Sequence, residues 1–159
     1  MLRGLIKKEL KEINTKIIIF ANYRNTIDEI VDFLNKEEEV KATKLIGQKL
    51  GLKQEEQIAT IKRFEDGIYN TLVCSSIGEE GISIKGATTA IMYDQGKSSE
   101  IRSIQRTGRV ARLEAGKIIT LLTKDTREIG YYWASKRKEK TMKNILSNMQ
   151  KETQEKLIT

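Results

Sequence analysis

Three arginines fall within the ten positions Ser103-Ile104-Gln105-Arg106-Thr107-Gly108-Arg109-Val110-Ala111-Arg112. With Ser98 or Ser99 as a cap, a short helix here would place Ile101, Ile104 and Gly108 on one side and Arg102 and Arg106 on the other. The apolar side suits docking on a sheet. Gly108 falls where such a helix would stop, in the left-handed cap position that glycine takes cheaply, so Arg109 and Arg112 would project from the loop just beyond. Two guanidiniums on a short anchored loop suit a triphosphate. Each is a planar fork of donors that stays charged, and such a group held against a transferring γ-phosphoryl contributes roughly 10³ to 10⁵ in rate. The same pattern also fits a solvated basic helix end, so the rest of the chain must decide.

The elements that would carry such a loop follow from composition and periodicity. At 159 residues the chain is long enough to bury a core without cross-links. A net charge of +7 and a pI near 9.4 make a polyanion the leading class of partner, with DNA, RNA and an acidic membrane surface left open by charge alone. Cys74 is the single cysteine, so no disulfide framework or cysteine zinc cluster is available, and a reducing cytoplasm or nucleus is expected. There is no histidine, which excludes His-dependent triads and His metal sites. No apolar run approaches the length of a membrane span, and Met1-Leu2-Arg3 leads into charged residues rather than a signal peptide.

Leu2, Leu5, Ile6 and Leu10 predict a lead-in helix, assigned to residues 1–15 with its tail. Lys16-Ile17-Ile18-Ile19-Phe20 is a β-branched run that reads as a strand buried on both faces, ending in the loop Ala21-Asn22-Tyr23-Arg24. Asn25 then begins a helix whose inward stripe is Ile27, Ile30, Val31 and Leu34. The unit recurs as a strand over 40–46, a loop over 47–51 and a helix over 54–64 with Ile58, Ile61 and Phe64 inward, closed by Asp66-Gly67. Further strands are predicted at 69–74, 88–93 and 117–123, with the arginine-bearing helix between the last two and a long helix from about Thr126. In that last helix Met142, Ile145, Leu146 and Met149 form the stripe. Alternating strands and helices predict a three-layer α/β domain with a mainly parallel sheet over 16–125, followed by a carboxyl-terminal helix over 126–159. Chemistry in such sheets gathers at the carboxyl ends of the strands, where Asn22 to Arg24, Ser75 to Gly81 and Asp94 to Ser99 all fall. Tyr131, Tyr132 and Trp133 precede the basic run 136–143. They could stack on bases, or dock on the core while the lysines are solvated.

Three segments stand in order: Ile17 to Thr26, Leu72 to Ile84 and Arg102 to Arg112. Together they resemble motifs IV, V and VI of superfamily 2 helicases, that is, the second of the two RecA-like domains. Gln105-Arg106-x-Gly108-Arg109-x-x-Arg112 is the most specific piece. Ser76-Ile77-Gly78-Glu79-Glu80-Gly81 and Tyr131-Tyr132-Trp133-Ala134-Ser135 shift the likeness toward the group of the archaeal Hef helicase-nuclease and the Fanconi-anaemia M translocase. The resemblance covers most of the chain, from about residue 16 to 146. It implies a RecA-like (P-loop NTPase type) domain without its own phosphate loop, working with ATP and Mg²⁺ held mainly by an amino-terminal RecA-like domain supplied in cis or in trans. Arg109 and Arg112 match the arginine-finger positions, and Gln105 and Arg106 match positions that line the nucleotide cleft. Gly81 and Ser83 fall at the cleft end of motif V. Arg24, Ser75, Ser76 and Gly78 match positions that approach the nucleic-acid backbone, with forked or branched DNA as the expected partner and no membrane. Small hydroxyl residues and glycine allow close approach to phosphates without reading bases, so binding should be salt-sensitive and largely sequence-independent.

The sequence departs from the family pattern at several places. Ser83 follows Gly81-Ile82 where relatives carry an aspartate that would reach a ribose, Ala111 replaces a glycine, and the loop from Gly47 to Gly51 is shorter than in Hef. Nor is there a G-x-x-x-x-G-K-[ST] loop. Gly96-Lys97-Ser98 has Ile91 in the place of the first glycine. The expectation is half of an ATP-dependent DNA helicase or translocase, inactive by itself. Two other readings remain: a stand-alone nucleic-acid-binding module that kept the fold without the motor, and an RNA-directed helicase relative.

Overall fold

The computed structural model describes residues 1–46, 54–75, 84–94 and 117–122, together with 127, 129, 130, 132–134, 136–138, 140, 141, 144, 145, 147 and 148. Two compact units partition the chain, Met1–Leu121 and Leu122–Thr159.

In the first unit the elements run α1 (Leu2–Leu10), β1 (Ile17–Phe20), α2 (Arg24–Leu34), β2 (Ala42–Leu45), α3 (Gln54–Glu65), β3 (Thr71–Cys74), β4 (Thr89–Met92) and β5 (Lys117–Thr120). The strands form one five-stranded sheet in the order β2-β3-β1-β4-β5, and every pair is parallel. Central β1 is apolar at all its positions because it has neighbours on both edges and helices on both faces, so no position of the pleat meets water.

The alternation of the pleat divides the core in two. Ile18, Phe20, Leu72, Cys74, Ala90 and Met92 face the α3 side, where Ile61 and Phe64 meet them. Ile17, Ile19, Val73 and Ile91 face the opposite side, where Ile27, Ile30 and Leu34 of α2 and Ile6 of α1 cover them. The three-layer parallel architecture expected from the periodicity is therefore present. Ile91 lies in β4 at 0% exposure, so the Gly96-Lys97-Ser98 segment is preceded by a buried strand rather than by a glycine turn.

One inward stripe differs from the expectation. On α3, Ile58 is 56% exposed whereas Gln57 is 1% exposed. The geometry explains the exchange: Gln57, Ile61 and Phe64 stand at i, i+4 and i+7, within an arc of about 60°, whereas Ile58 lies about 60° beyond that arc and about 120° from Phe64. The Gln57 amide remains buried because its Nε2 donates to the carbonyl of Ile46 at 2.8 Å. Its Oε1 finds no donor among the described residues. The close of α3 matches the expectation: Gly67 takes φ +81°, its N–H reaches the Phe64 carbonyl at 3.1 Å, and Ile68 N–H reaches that of Arg63 at 2.9 Å.

At the amino edge of the sheet, α1 is tied down by charge. Glu9, 3% exposed, accepts from Lys117 Nζ at 2.6 Å, and Glu37 beyond α2 pairs with both Arg3 and Lys7 at 3.1 and 2.9 Å.

In the second unit, the described residues between Arg127 and Asn148 are helical. Tyr132 and Trp133 meet edge to face with ring centroids 5.3 Å apart, and Trp133 is 59% exposed. Of the stripe expected there, Ile145 is 53% exposed, while Met142, Leu146 and Met149 lie outside the described residues.

Candidate functional site at the carboxyl edge of the sheet

The strands end level. Phe20 is in register with Cys74 and with Met92, Leu45 with Cys74, and Met92 with Thr120. The ladder continues for one more residue: Ala21 N–H donates to Cys74 at 3.0 Å, Ser75 N–H to Leu45 at 3.3 Å, Tyr93 N–H to Phe20 at 2.9 Å and Leu121 N–H to Met92 at 2.9 Å. The loops that follow therefore leave the sheet along one line, as parallel topology with helical crossovers requires.

Two loops on that line are joined directly. The backbone amide of Asn22 donates to both carboxylate oxygens of Asp94, at 3.0 and 2.9 Å, and Asn22 Nδ2 reaches the Asp94 carbonyl at 3.5 Å. This fixes the turn after β1 against the end of β4 and so sets where α2 begins. Arg24 is the first residue of α2 and follows the extended Tyr23, which is 67% exposed. The Arg24 side chain is half-exposed, with its Nε 3.9 Å from Asp28 one turn further along. Asp28 in turn pairs with Lys44 of β2 across the gap between helix and strand.

Of the residues expected to act, Ser75 directly follows β3, and Arg24 opens α2 after the turn that follows the adjacent strand β1. Ser76, Gly78, Gly81, Ser83, Gln105, Arg106, Arg109 and Arg112 lie outside the described residues. Sequence reasoning placed Asp94 at this edge without its partner and missed Asp28 and Lys44. The i,i+4 spacing of Arg24 and Asp28 was a readable signal, whereas nothing local pairs Lys44 with Asp28 or Asp94 with Asn22, because strand order alone brings them together. Among the described residues no trio of acidic or cysteine side chains is grouped to hold a metal.

Comparison with known proteins adds a family. The model of the helicase conserved C-terminal domain matches residues 1–114. The ATP-dependent DNA helicase mph1 of Neurospora crassa is 44% identical over 120 residues, covering 72% of this chain and 10% of that protein. A Methanocaldococcus jannaschii protein provisionally named an ATP-dependent RNA helicase is 41% identical over 154 residues, covering 94% of this chain and 19% of its own length. Among solved structures, the Hef helicase domain of Pyrococcus furiosus superposes with a TM-score of 0.68 at 41% identity, covering 84% of this chain and 27% of that one. The chain thus spans a fifth or less of the two relatives.

Proposed function

The chain belongs to the helicase conserved C-terminal domain family, and from that premise we propose that it is the second motor domain of an ATP-dependent superfamily 2 DNA helicase or translocase. A first RecA-like domain, in cis or in trans, holds ATP and Mg²⁺ in this reading. Arg109 and Arg112 reach across the cleft to the γ-phosphoryl, where fixed guanidiniums stabilise charge that develops only as the bond to the leaving phosphate breaks. Gln105, Arg106, Gly81 and Ser83 line the same cleft from this side. Arg24, Ser75, Ser76 and Gly78 contact phosphates of the strand along which the motor moves, with forked or branched DNA as the substrate class.

The observation that supports this reading most directly is the level ending of β1 and β3, after which the half-exposed Arg24 opens α2 and the Ser75 N–H continues the ladder onto the Leu45 carbonyl. A cation and a small hydroxyl residue with a free approach suit a sugar-phosphate backbone, and neither reads sequence.

The test joins this chain to a Walker-bearing first domain and measures hydrolysis with and without DNA. The expected result is DNA-stimulated turnover that falls by roughly 10³-fold or more with Arg109→Ala or Arg112→Ala. Turnover unchanged in both variants would remove the finger assignment. Competition between forked DNA and duplex RNA for the joined protein decides the nucleic acid, a choice given weight by the RNA helicase name of the M. jannaschii relative.

A further inference from the structure

Lys44 is a lysine in a short, half-buried strand, and nothing in the proposed function uses it. The pleat turns it to the α2 side, between Ala42 and Ile46, which are both buried there. Its ammonium leaves that apolar surface to meet Oδ1 of Asp28, while the Arg24 guanidinium approaches Oδ2 of the same carboxylate. One carboxylate thus stands between two cations from different elements. All three side chains are partly open to water: Arg24 is 54% exposed, Lys44 42% and Asp28 36%.

We infer that Lys44 and Arg24 form a two-cation seat for a phosphate of the bound nucleic-acid strand, and that Asp28 occupies this seat in the free protein. A phosphodiester presents two anionic oxygens on one atom, much as Asp28 does, and can bridge an ammonium and a guanidinium in the same way. Because the Asp28 pairs are exposed they are weak, so a phosphate can displace the carboxylate without a large penalty.

Position supports the assignment. Lys44 immediately precedes Leu45, whose carbonyl accepts the Ser75 N–H, so it stands at the carboxyl end of β2, and Arg24 opens α2 just after β1 ends at the same edge. A strand passing this edge meets both cations at one point, the position that the Asp28 carboxylate holds between them. Asp28 then acts as a brake on affinity, holding both cations in place and lowering the field they offer a phosphate.

This inference rests on the proposed nucleic-acid path at the carboxyl edge, and the experiment separates the two. A labelled single-stranded oligonucleotide is titrated with the 159-residue chain over a series of salt concentrations, using wild type, Arg24→Ala, Lys44→Ala, Lys44→Arg and Asp28→Asn. Lys44→Ala is expected to weaken binding several-fold and to reduce the slope of log K against log salt by about 0.7, the loss of one phosphate contact on a single strand. Lys44→Arg should restore both, and Asp28→Asn should tighten binding. Circular dichroism melts of each variant report folding independently. If Arg24→Ala weakens binding while Lys44→Ala leaves affinity and slope unchanged, the seat is wrong and the path stands. If neither matters, or wild type does not bind, the path itself fails and takes the seat with it. Weaker binding by Asp28→Asn overturns the brake.

Discussion

The backbone amide of Asn22 is held by both carboxylate oxygens of Asp94, a residue 72 positions away in sequence and one strand over in the sheet. This clasp ties the turn before Arg24 to the last described residue after β4, beyond which the chain leads toward the arginine-rich segment. The start of α2, where Arg24 stands, is therefore anchored to the end of β4.

Removing the clasp should be measurable as stability before it is measured as function. Asp94→Ala is expected to cost about 1–2 kcal/mol, the range for a partly exposed hydrogen bond to a charged acceptor. Asp94→Asn, which keeps one oxygen, should cost less. Urea midpoints at constant slope give both values, and an unchanged midpoint in Asp94→Ala would show that the turn is held by its other contacts.

Helix α3 supplies a reversal of the usual rule that the apolar residue matters more. Gln57 is fully buried with its amide on the Ile46 carbonyl, and Ile58 beside it is open to solvent. Gln57→Ala should destabilise by about 2 kcal/mol, because it empties a packed position and leaves a buried carbonyl without its donor. Ile58→Ala should cost about 0.5 kcal/mol or less. Equal costs in the two variants would contradict the helix orientation seen here.

The tethers of α1 predict a dependence on pH at both ends of the scale. The hydrogen bond from Lys7, with further help from the Lys7 and Arg3 charges and against a burial effect, holds the Glu37 carboxyl below its ordinary value of 4.5. Its contribution is present above pH 4.5 and is lost as pH falls through the lowered value. Lys7 and Lys117 are raised above 10.5, chiefly by their hydrogen bonds to Glu37 and Glu9. Their contributions are complete below pH 10.5 and disappear as pH rises through the raised values. Melting midpoints of wild type and Glu37→Gln, followed from pH 7 downward, should converge below the ordinary carboxylate range. A gap that stays constant through acid would mean that the Glu37 charge does not tie α1 to the domain.

Much of this architecture was legible one element at a time. The β-branched run Ile17 to Phe20 has no option but a strand buried on both faces, and Ile27, Ile30 and Leu34 recur with the period of a helix packed on one side. Those signals are local because backbone geometry repeats over two residues or over 3.6, and the pattern of burial follows it directly. The motif positions in 76–83 and 105–112 were equally plain as sequence, and they lie outside the described residues.

What the sequence by itself determined was the set of elements, their parallel arrangement and the edge where their loops gather. Only the tertiary structure decided which side chains meet: Asp94 with Asn22, Lys44 with Asp28, and Glu9 with Lys117 across 108 residues. No periodicity encodes such pairs. They depend on the strand order β2-β3-β1-β4-β5 and on register, which the packing of the whole core selects and no local stretch encodes.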